Sequence, residues 1–186
     1  MLNQRIIPAI SNHKNMKKFL ESDLKYGLLM NFQLAQLEDL VIAMKKNNKK
    51  VLIHSELIKG LSSDEYGAIY LIQSLNVDGI ISSKPKVIEV CKKRSVIGIY
   101  RFFIKDSISL EQSLDIGRRL NPSFVEILPS TCFELIPYIK KKIPCEVLMG
   151  GLIKNESQAK RCFDHGAIAL TTSDTNLWSY KNQPKI

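Results

Sequence analysis

The sequence has few cysteines and no spacing that would give them a chemical role. There are four in 186 residues, and none stands in the Cys-x-x-Cys arrangement that is typical of metal-binding and redox sites. The N-terminal segment also lacks the basic and then apolar layout of an export signal. We therefore expect reduced, mostly buried thiols in a cytoplasmic protein, rather than disulfides or metal ligands.

Long apolar runs are absent as well. None approaches the ~20 residues needed to cross a bilayer, so we expect no membrane partner. With 45% hydrophobic and 24% charged residues, the chain suits a single domain, residues 1–186, with a full core. Because no nucleophile–base pair and no metal-ligand spacing is visible, we expect no catalytic residue, no metal and no cofactor.

Acidic residues are scarce relative to basic ones. The 18 Asp and Glu face 27 Lys and Arg, which gives a formal net charge of +9 and favours an anionic partner without identifying it. Many of the cations cluster where a predicted helix ends and the next strand begins. They either complement the negative end of the helix dipole or form an RNA-binding surface. The candidates for RNA contact are Lys93, Arg94, Arg118, Arg119, Lys140, Lys141 and Lys142.

Short apolar segments alternate with amphipathic helical segments along the whole chain. The predicted strands cover residues 5–11, 26–31, 51–56, 78–83, 96–103, 124–128, 145–149 and 167–170. Helix starts are indicated by Ser109 with Gln112, Thr131 with Glu134, and Asn155 with Gln158. Strict alternation predicts an α/β protein with a parallel sheet, and eight units favour a compact single-domain (β/α)8 TIM barrel over an open sheet. Such barrels usually need ~200 residues or more, so we expect short loops and a truncated helix or two.

Small residues end the seventh and eighth predicted strands. Gly150 and Gly151 follow the seventh, and Thr171, Thr172 and Ser173 follow the eighth. In a barrel these positions are neighbours at the carboxyl ends of the strands, where backbone N–H groups, hydroxyls and a helix start bind phosphate. Paired glycines also occur in simple tight turns. The combination predicts a phosphate site made by Gly150, Gly151, Thr172 and Ser173.

Four further polar residues stand in apolar strands or at their carboxyl ends: His54, Glu56, Arg101 and Glu126. A charge inside an apolar strand is costly unless it is paired. Two alternatives therefore stay open for Arg101 and Glu126, a purely structural ion pair or contact with a ligand. His54 is either a core histidine with satisfied hydrogen bonds or a ligand-contacting one.

Several segments resemble one family over nearly the whole chain. They are IIPAISNHKNM, KVLIHSELIKGL, DGIISS, the Arg of YRFFIKDS, VEILPS, VLMGGLI and ALTTSDTNLW. Together they are similar to the glycerol-3-phosphate responsive antiterminators of Gram-positive bacteria. The resemblance implies a small barrel that senses glycerol 3-phosphate and binds the leader of a glycerol-utilisation messenger RNA, so that transcription reads through a terminator.

The resemblance also implies roles for individual residues. It assigns the polyol contacts to His54, Glu56, Arg101 and Glu126, and the phosphate contacts to the glycine and Thr-Ser positions above. Relatives often have Asp where this chain has Ser55-Glu56, which adds a methylene to the carboxylate side chain. The alternatives are an enzyme acting on a small phosphorylated polyol, and a protein whose basic clusters only complement helix dipoles. A homodimer is a possible assembly that the sequence leaves undecided.

Overall fold

Eight parallel strands close into a barrel, each hydrogen-bonded to the next and β8 to β1. The computed structural model describes residues 2 and 4–180. The strands are β1 Ile6–Ile10, β2 Tyr26–Leu29, β3 Lys50–His54, β4 Gly79–Ser82, β5 Ile97–Phe103, β6 Phe124–Leu128, β7 Glu146–Gly150 and β8 Ala169–Thr172. The predicted (β/α)8 barrel is confirmed.

Seven α-helices surround the barrel in the described part of the chain. They are α1 His13–Leu20, α2 Leu34–Lys46, α3 Glu65–Gln73, α4 Pro85–Lys93, α5 Ser107–Leu120, α6 Ile136–Lys142 and α7 Glu156–Asp164. The eighth unit ends in a 3-10 helix of only three residues, Leu177–Ser179, which accounts for part of the short chain length. No helix in the described ranges is long and apolar enough to cross a membrane.

Two separate apolar clusters stabilise this arrangement. The alternation of side chains along each strand sends one set inward and the other set outward. The inner set fills the barrel and includes Ile7, Leu28, Leu52, Ile99 and Leu148. The outer set packs the strands against the helices. The interior is therefore filled with side chains, and an open space can form only at the ends of the strands.

Two predicted helix starts differ from those observed. For α5 the N-cap is Asp106, whose Oδ1 accepts from the Ser109 N–H at 2.7 Å, while Ser109 Oγ accepts from the Asp106 N–H at 3.0 Å. The prediction that Ser109 is the cap was wrong because the reciprocal pair begins three residues earlier. Thr131 caps no α-helix, since it lies in a 3-10 helix, Ser130–Leu135, that precedes α6. The Asn155 cap of α7 is confirmed.

Several strand ends differ from the prediction. Strand β7 includes Gly150, which was expected to follow it, and the ends of β8 and β3 affect the site. Strand β8 continues through Thr171 and Thr172, so these residues belong to the sheet rather than to the loop after it. Strand β3 ends at His54, and Glu56 lies in the 3-10 helix Ser55–Leu57 that follows. Glu56 therefore does not follow the inward and outward alternation of β3.

Candidate functional site

Four polar side chains form a hydrogen-bonded group at the top of the barrel interior. They come from four strands: His54 on β3, Arg101 on β5, Glu126 on β6 and Thr171 on β8. Arg101 and Thr171 each lie two residues after a member of the inner apolar cluster, Ile99 and Ala169, so strand alternation points them inward. Strand register sets Arg101 directly beside Glu126.

The Arg101–Glu126 ion pair is the centre of this group. Arg101 Nε and NH2 each lie 2.6 Å from Glu126 Oε2, and the Thr171 hydroxyl donates to Glu126 Oε1 at 2.5 Å. The Glu126 side chain has no exposed surface, whereas that of Arg101 keeps 15%. The pairing predicted from the sequence is confirmed. Glu126 lies beneath Arg101 and does not line the cavity above it.

The contact between His54 and Arg101 orients the imidazole. Arg101 NH1 faces His54 Nε2. A guanidinium has only donors, so Nε2 is placed to accept from Arg101. His54 Nδ1 is 3.3 Å from Glu56 Oε2, within ion-pair distance but not aligned for a hydrogen bond. His54 therefore links the barrel interior to Glu56.

Glu56 bridges the ends of β3 and β4 instead of facing the cavity. Its Oε1 accepts from the Ser82 hydroxyl at 2.9 Å, the Ser83 N–H at 2.6 Å and the Ser83 hydroxyl at 2.8 Å. Its Oε2 accepts from the Ser55 hydroxyl at 3.0 Å. Burial acts to raise the pKa of this carboxyl, but His54 and the Ser83 donors outweigh it and lower the pKa well below its usual range. Glu56 is thus held as a carboxylate by its neighbours.

A cavity of about 500 Å³ opens above this group at the carboxyl ends of the strands. Its polar floor is made by His54, Arg101 and Thr171, and its apolar wall by residues that include Met30 and Leu128. Three of the five guanidinium N–H donors are used by His54 and Glu126, so two remain for a ligand. The positive charge of Arg101 is already balanced by Glu126.

The loops after β7 and β8 form the opposite side of the cavity. Gly151, with φ of +74°, begins the β7 loop, and Thr172 and Ser173 line the same side. Within the described residues, the backbone N–H groups of Leu152, Ile153 and Ser173 donate to no other group. Free N–H groups and hydroxyls at one edge are suited to an anion. Gly150 lies one layer lower and does not line the cavity.

Two charged residues at this edge were not predicted from the sequence. Lys154 lines the cavity, and its ammonium makes no ion pair with any described residue. Asp174 also lines it, and its Oδ1 accepts from the Asn176 N–H at 2.9 Å. Lys154 lies in a loop two residues before α7, where nothing in the local pattern distinguishes it from the other lysines. Only the position of its loop, after β7, shows that Lys154 faces the cavity.

The sequence predicted a helix start beside the phosphate, but no residue of α7 lines the cavity. The Asn155 side chain accepts from one of the first N–H groups of α7, that of Gln158, at 2.9 Å. The 3-10 helix Leu177–Ser179 is too short to carry an appreciable dipole. Its Trp178 instead anchors β8, because the indole N–H donates to the Thr172 carbonyl at 3.2 Å. The loop N–H groups are therefore the backbone donors available at this edge.

The predicted RNA-contacting cations lie at the other end of the barrel, at or just after the carboxyl ends of α4, α5 and α6. Part of this charge is used within the protein. Arg118 pairs with Asp115, and Lys140 with Glu146 at 3.1 Å. Arg119 Nε donates to the Asp115 carbonyl at 3.3 Å. Lys93, Arg94 and Lys141 make no side-chain contact of this kind within residues 4–180. Helix-end complementarity thus accounts for some of the clusters but not for all of their cations.

The thiols show no sign of reactivity. Burial raises the pKa of Cys91 to about 12, and those of Cys145 and Cys162 to about 11. No cysteine lines the cavity. In the described ranges, no three His, Cys, Asp or Glu side chains are grouped closely enough to hold a metal ion. The chemistry available at the cavity is therefore hydrogen bonding and charge.

Two solved structures of similarly named proteins have the same fold as this chain. The glycerol uptake operon antiterminator regulatory protein of Listeria monocytogenes superposes with a TM-score of 0.91 at 36% identity, covering 95% of each chain. A glycerol uptake operon antiterminator-related protein of Thermotoga maritima gives 0.80 at 25% identity, covering 96% of this chain and all of that one. The deoxyribose phosphate aldolase of Aeropyrum pernix, at 13% identity and a TM-score of 0.70, covers 92% of this chain and 86% of its own and shares the fold alone.

Sequence comparison extends the similarity to a further protein and to a family. The chain is 26% identical to the uncharacterized protein YgcP of Escherichia coli (strain K12) over 174 residues, which cover 94% of this chain and 91% of the other. A model of the glycerol-3-phosphate responsive antiterminators matches residues 6–178, almost the whole chain. The chain therefore belongs to the family of glycerol-3-phosphate responsive antiterminators.

Proposed function

We propose that this protein binds glycerol 3-phosphate in the cavity at the carboxyl ends of its strands. We further propose that the ligand regulates binding to the leader of a glycerol-utilisation messenger RNA. The observation that carries the proposal is the cavity itself, in a chain of this family. It joins an anion-binding edge on the β7 and β8 side to a polar floor on the β3 and β5 side.

The phosphate would be bound at the edge formed by Gly151, Thr172 and Ser173, with the Lys154 ammonium close enough to add charge. Support comes from the free backbone N–H groups there. Because Arg101 is neutralised by Glu126, a phosphate gains more from this edge than from the guanidinium. Gly150 contributes by leaving room for the buried network.

The glycerol hydroxyls would face the floor. Arg101 offers two unused donors, and Thr171 is fixed by its hydrogen bond to Glu126. His54 orients Arg101, and Glu56 orients His54. Glu56 and Glu126 therefore support the polyol contacts from behind instead of making them.

RNA would bind at the opposite end of the barrel. The last turns of α5 and α6 carry exposed cations. They are Arg118, Arg119, Lys140, Lys141 and Lys142. Contacts from such a face to RNA phosphates release counterions, and the affinity then falls with salt. Ligand and RNA would thus occupy separate sites on one barrel, and any effect of one on the affinity for the other would be reciprocal.

Turnover of a phosphorylated polyol is the competing function, and the fold is shared with aldolases. No cysteine and no buried lysine lines the cavity, and His54 Nε2 is occupied by Arg101. These features favour a sensor that releases glycerol 3-phosphate unchanged.

Transcription in vitro through the leader terminator tests the proposal. The template carries the leader of a glycerol-utilisation operon from the same genome. We expect read-through to require both the protein and glycerol 3-phosphate, and the compound to be recovered intact. Read-through that ignores the protein would contradict the regulatory role, and protein-dependent loss of the compound would favour the enzyme.

A further inference from the structure

A second cavity, of about 480 Å³, lies outside the barrel between α3 and α4, far from the ligand site. It is a surface groove with an aromatic side and a charged side. Tyr66 of α3 forms the first, and Glu89, Val90 and Lys93 of α4 form the second. The proposed ligand and RNA sites use none of its residues, although Lys93 and Arg94 were among the cations predicted to contact RNA.

The aromatic side is unusually exposed. Tyr66 has 73% of its surface open and Tyr70, one helical turn later, has 38%. Neither hydroxyl makes a hydrogen bond within the described residues, whereas the Tyr138 hydroxyl donates to Glu111 at 3.1 Å. Exposed tyrosines with unused hydroxyls are typical of surfaces that contact another macromolecule.

The charged side carries both signs without pairing them. Glu89 and Lys93 stand four residues apart on α4, the spacing at which helical ion pairs form, yet they make no ion pair with each other or with any other described group. At the same spacing on α7 an ion pair does form, since Lys160 Nζ lies 2.6 Å from Asp164 Oδ2. At the groove's other end Lys86 is only loosely paired with Glu65, at 3.5 Å.

The charge pattern of α4 is complementary to the same pattern on a second copy of the chain. A two-fold axis midway between residues 89 and 93, with two α4 helices packed antiparallel, would face Glu89 of each copy with Lys93 of the other. Val90 would lie near the axis, and the tyrosines of α3 would cover its flanks. We infer that this groove, the α3–α4 groove, is the contact between two copies of this chain.

RNA fits the groove less well. The carboxylates of Glu65 and Glu89 lie on its lining, and each would repel a nucleic-acid phosphate. A second copy uses both signs, because every carboxylate meets a cation. The inference assigns Lys93 to assembly and leaves the RNA contacts to the ends of α5 and α6. It holds whether or not the chain binds RNA.

Sedimentation equilibrium with charge-reversed variants tests the inference. Glu89→Lys and Lys93→Glu each place like charges opposite one another twice in the pair, and each should raise the dimer Kd about tenfold. The double variant Glu89→Lys/Lys93→Glu exchanges the two signs and should restore the Kd to within about threefold of wild type. Tyr66→Ala should also weaken the dimer. The control is Lys17→Glu on α1, an exposed and unpaired lysine on another helix, which should leave the Kd unchanged.

The two candidate occupants of the groove, a second copy of the chain and RNA, predict different effects of the charge reversals. If RNA fills the groove, Glu89→Lys strengthens leader-RNA binding, Lys93→Glu weakens it, and neither changes the molar mass. That result would overturn the inference. So would a wild-type protein that remains monomeric at concentrations up to about 0.5 mM, or single reversals that leave the dimer Kd unchanged. Far-ultraviolet circular dichroism confirms that each exposed-site variant is folded.

Discussion

Gly150 lies so close to Glu126 that no larger side chain fits at position 150. A Cβ at residue 150 would lie 2.9 Å from Glu126 Oε1 and 2.4 Å from Thr171 Oγ1. The backbone of Gly150 is that of an ordinary strand, so the glycine is required by packing and not by a turn. The first glycine of the Gly-Gly pair thus makes room for the buried carboxylate, while the second, Gly151, begins the loop beside the cavity.

Gly150→Ala should therefore disturb the buried network. The added methyl has no space unless the Glu126 or Thr171 side chain moves, and overpacking of this kind costs about 1–3 kcal/mol of unfolding free energy. Urea denaturation measures the change. Thr171→Ala removes the nearer of the two atoms, so the double variant should lose less stability than the sum of the two single variants. Simple additivity would contradict this packing relationship.

Glu126→Ala should lower both stability and ligand affinity. It leaves the Arg101 guanidinium largely buried without its partner, which typically costs about 3–5 kcal/mol. Glu146→Gln is the control, because its pair with Lys140 is exposed and should contribute less than about 1 kcal/mol. Thermal unfolding and calorimetry with glycerol 3-phosphate give the two readouts. A Glu126→Ala protein that melts and binds like wild type would contradict the role of the pair.

Gly151→Asp tests the phosphate edge. The side chain would bring a negative charge beside the proposed phosphate position, and at about 4 Å screened like charges cost ~1–4 kcal/mol, or about tenfold or more in affinity. Gly151→Asn is the matched control, since Asn has the same size and also tolerates the positive φ of this position. We expect the Asn variant to bind glycerol 3-phosphate within about threefold of wild type. Equal affinities for Asp and Asn variants would move the phosphate elsewhere.

The lowered pKa of Glu56 predicts how its contribution to stability depends on pH. Because the folded-state pKa lies below the ordinary value of 4.5, the ionised carboxylate stabilises the fold at pH values above that value. The contribution is lost as the pH falls through the range below it. The unfolding free energies of wild type and Glu56→Gln should thus differ most near neutral pH and converge in acid. A difference between wild type and Glu56→Gln that stays constant over this pH range would contradict the prediction.

The features predictable from the sequence were those carried by local pattern. Alternating apolar segments indicated the eight strands, and charges inside apolar strands indicated that Arg101 and Glu126 would need a partner, which is an ion pair in the structure. The contacts of Glu56 were not predictable, because they depend on a 3-10 turn after β3 that brings the carboxylate to Ser82 and Ser83 on the next strand. The place of Lys154 was not predictable either, because the path of the loop after β7, and not the residue pattern, brings this lysine to the cavity.

The helix starts show a second limit of local reasoning. Ser109 has the residue type of a cap, yet Asp106 takes that place and uses Ser109 as its reciprocal partner. Both residues fit a capping pattern, and the choice between them depends on where the chain leaves β5. For α7 the predicted cap, Asn155, is the one observed.

Ligand and RNA are proposed to bind opposite ends of one barrel and to affect each other's affinity. The measurement is the affinity for leader RNA with and without glycerol 3-phosphate, over a range of salt, for wild type and a variant with Lys140, Lys141 and Lys142 all changed to Gln. We predict that ligand changes the wild-type RNA affinity by ~5–150-fold, with a reciprocal change in ligand affinity. The triple variant should show a shallower salt dependence of RNA binding and nearly unchanged ligand affinity. Identical RNA affinities with and without ligand would contradict the coupling, and an unchanged salt dependence in the variant would contradict the assignment of RNA to this face.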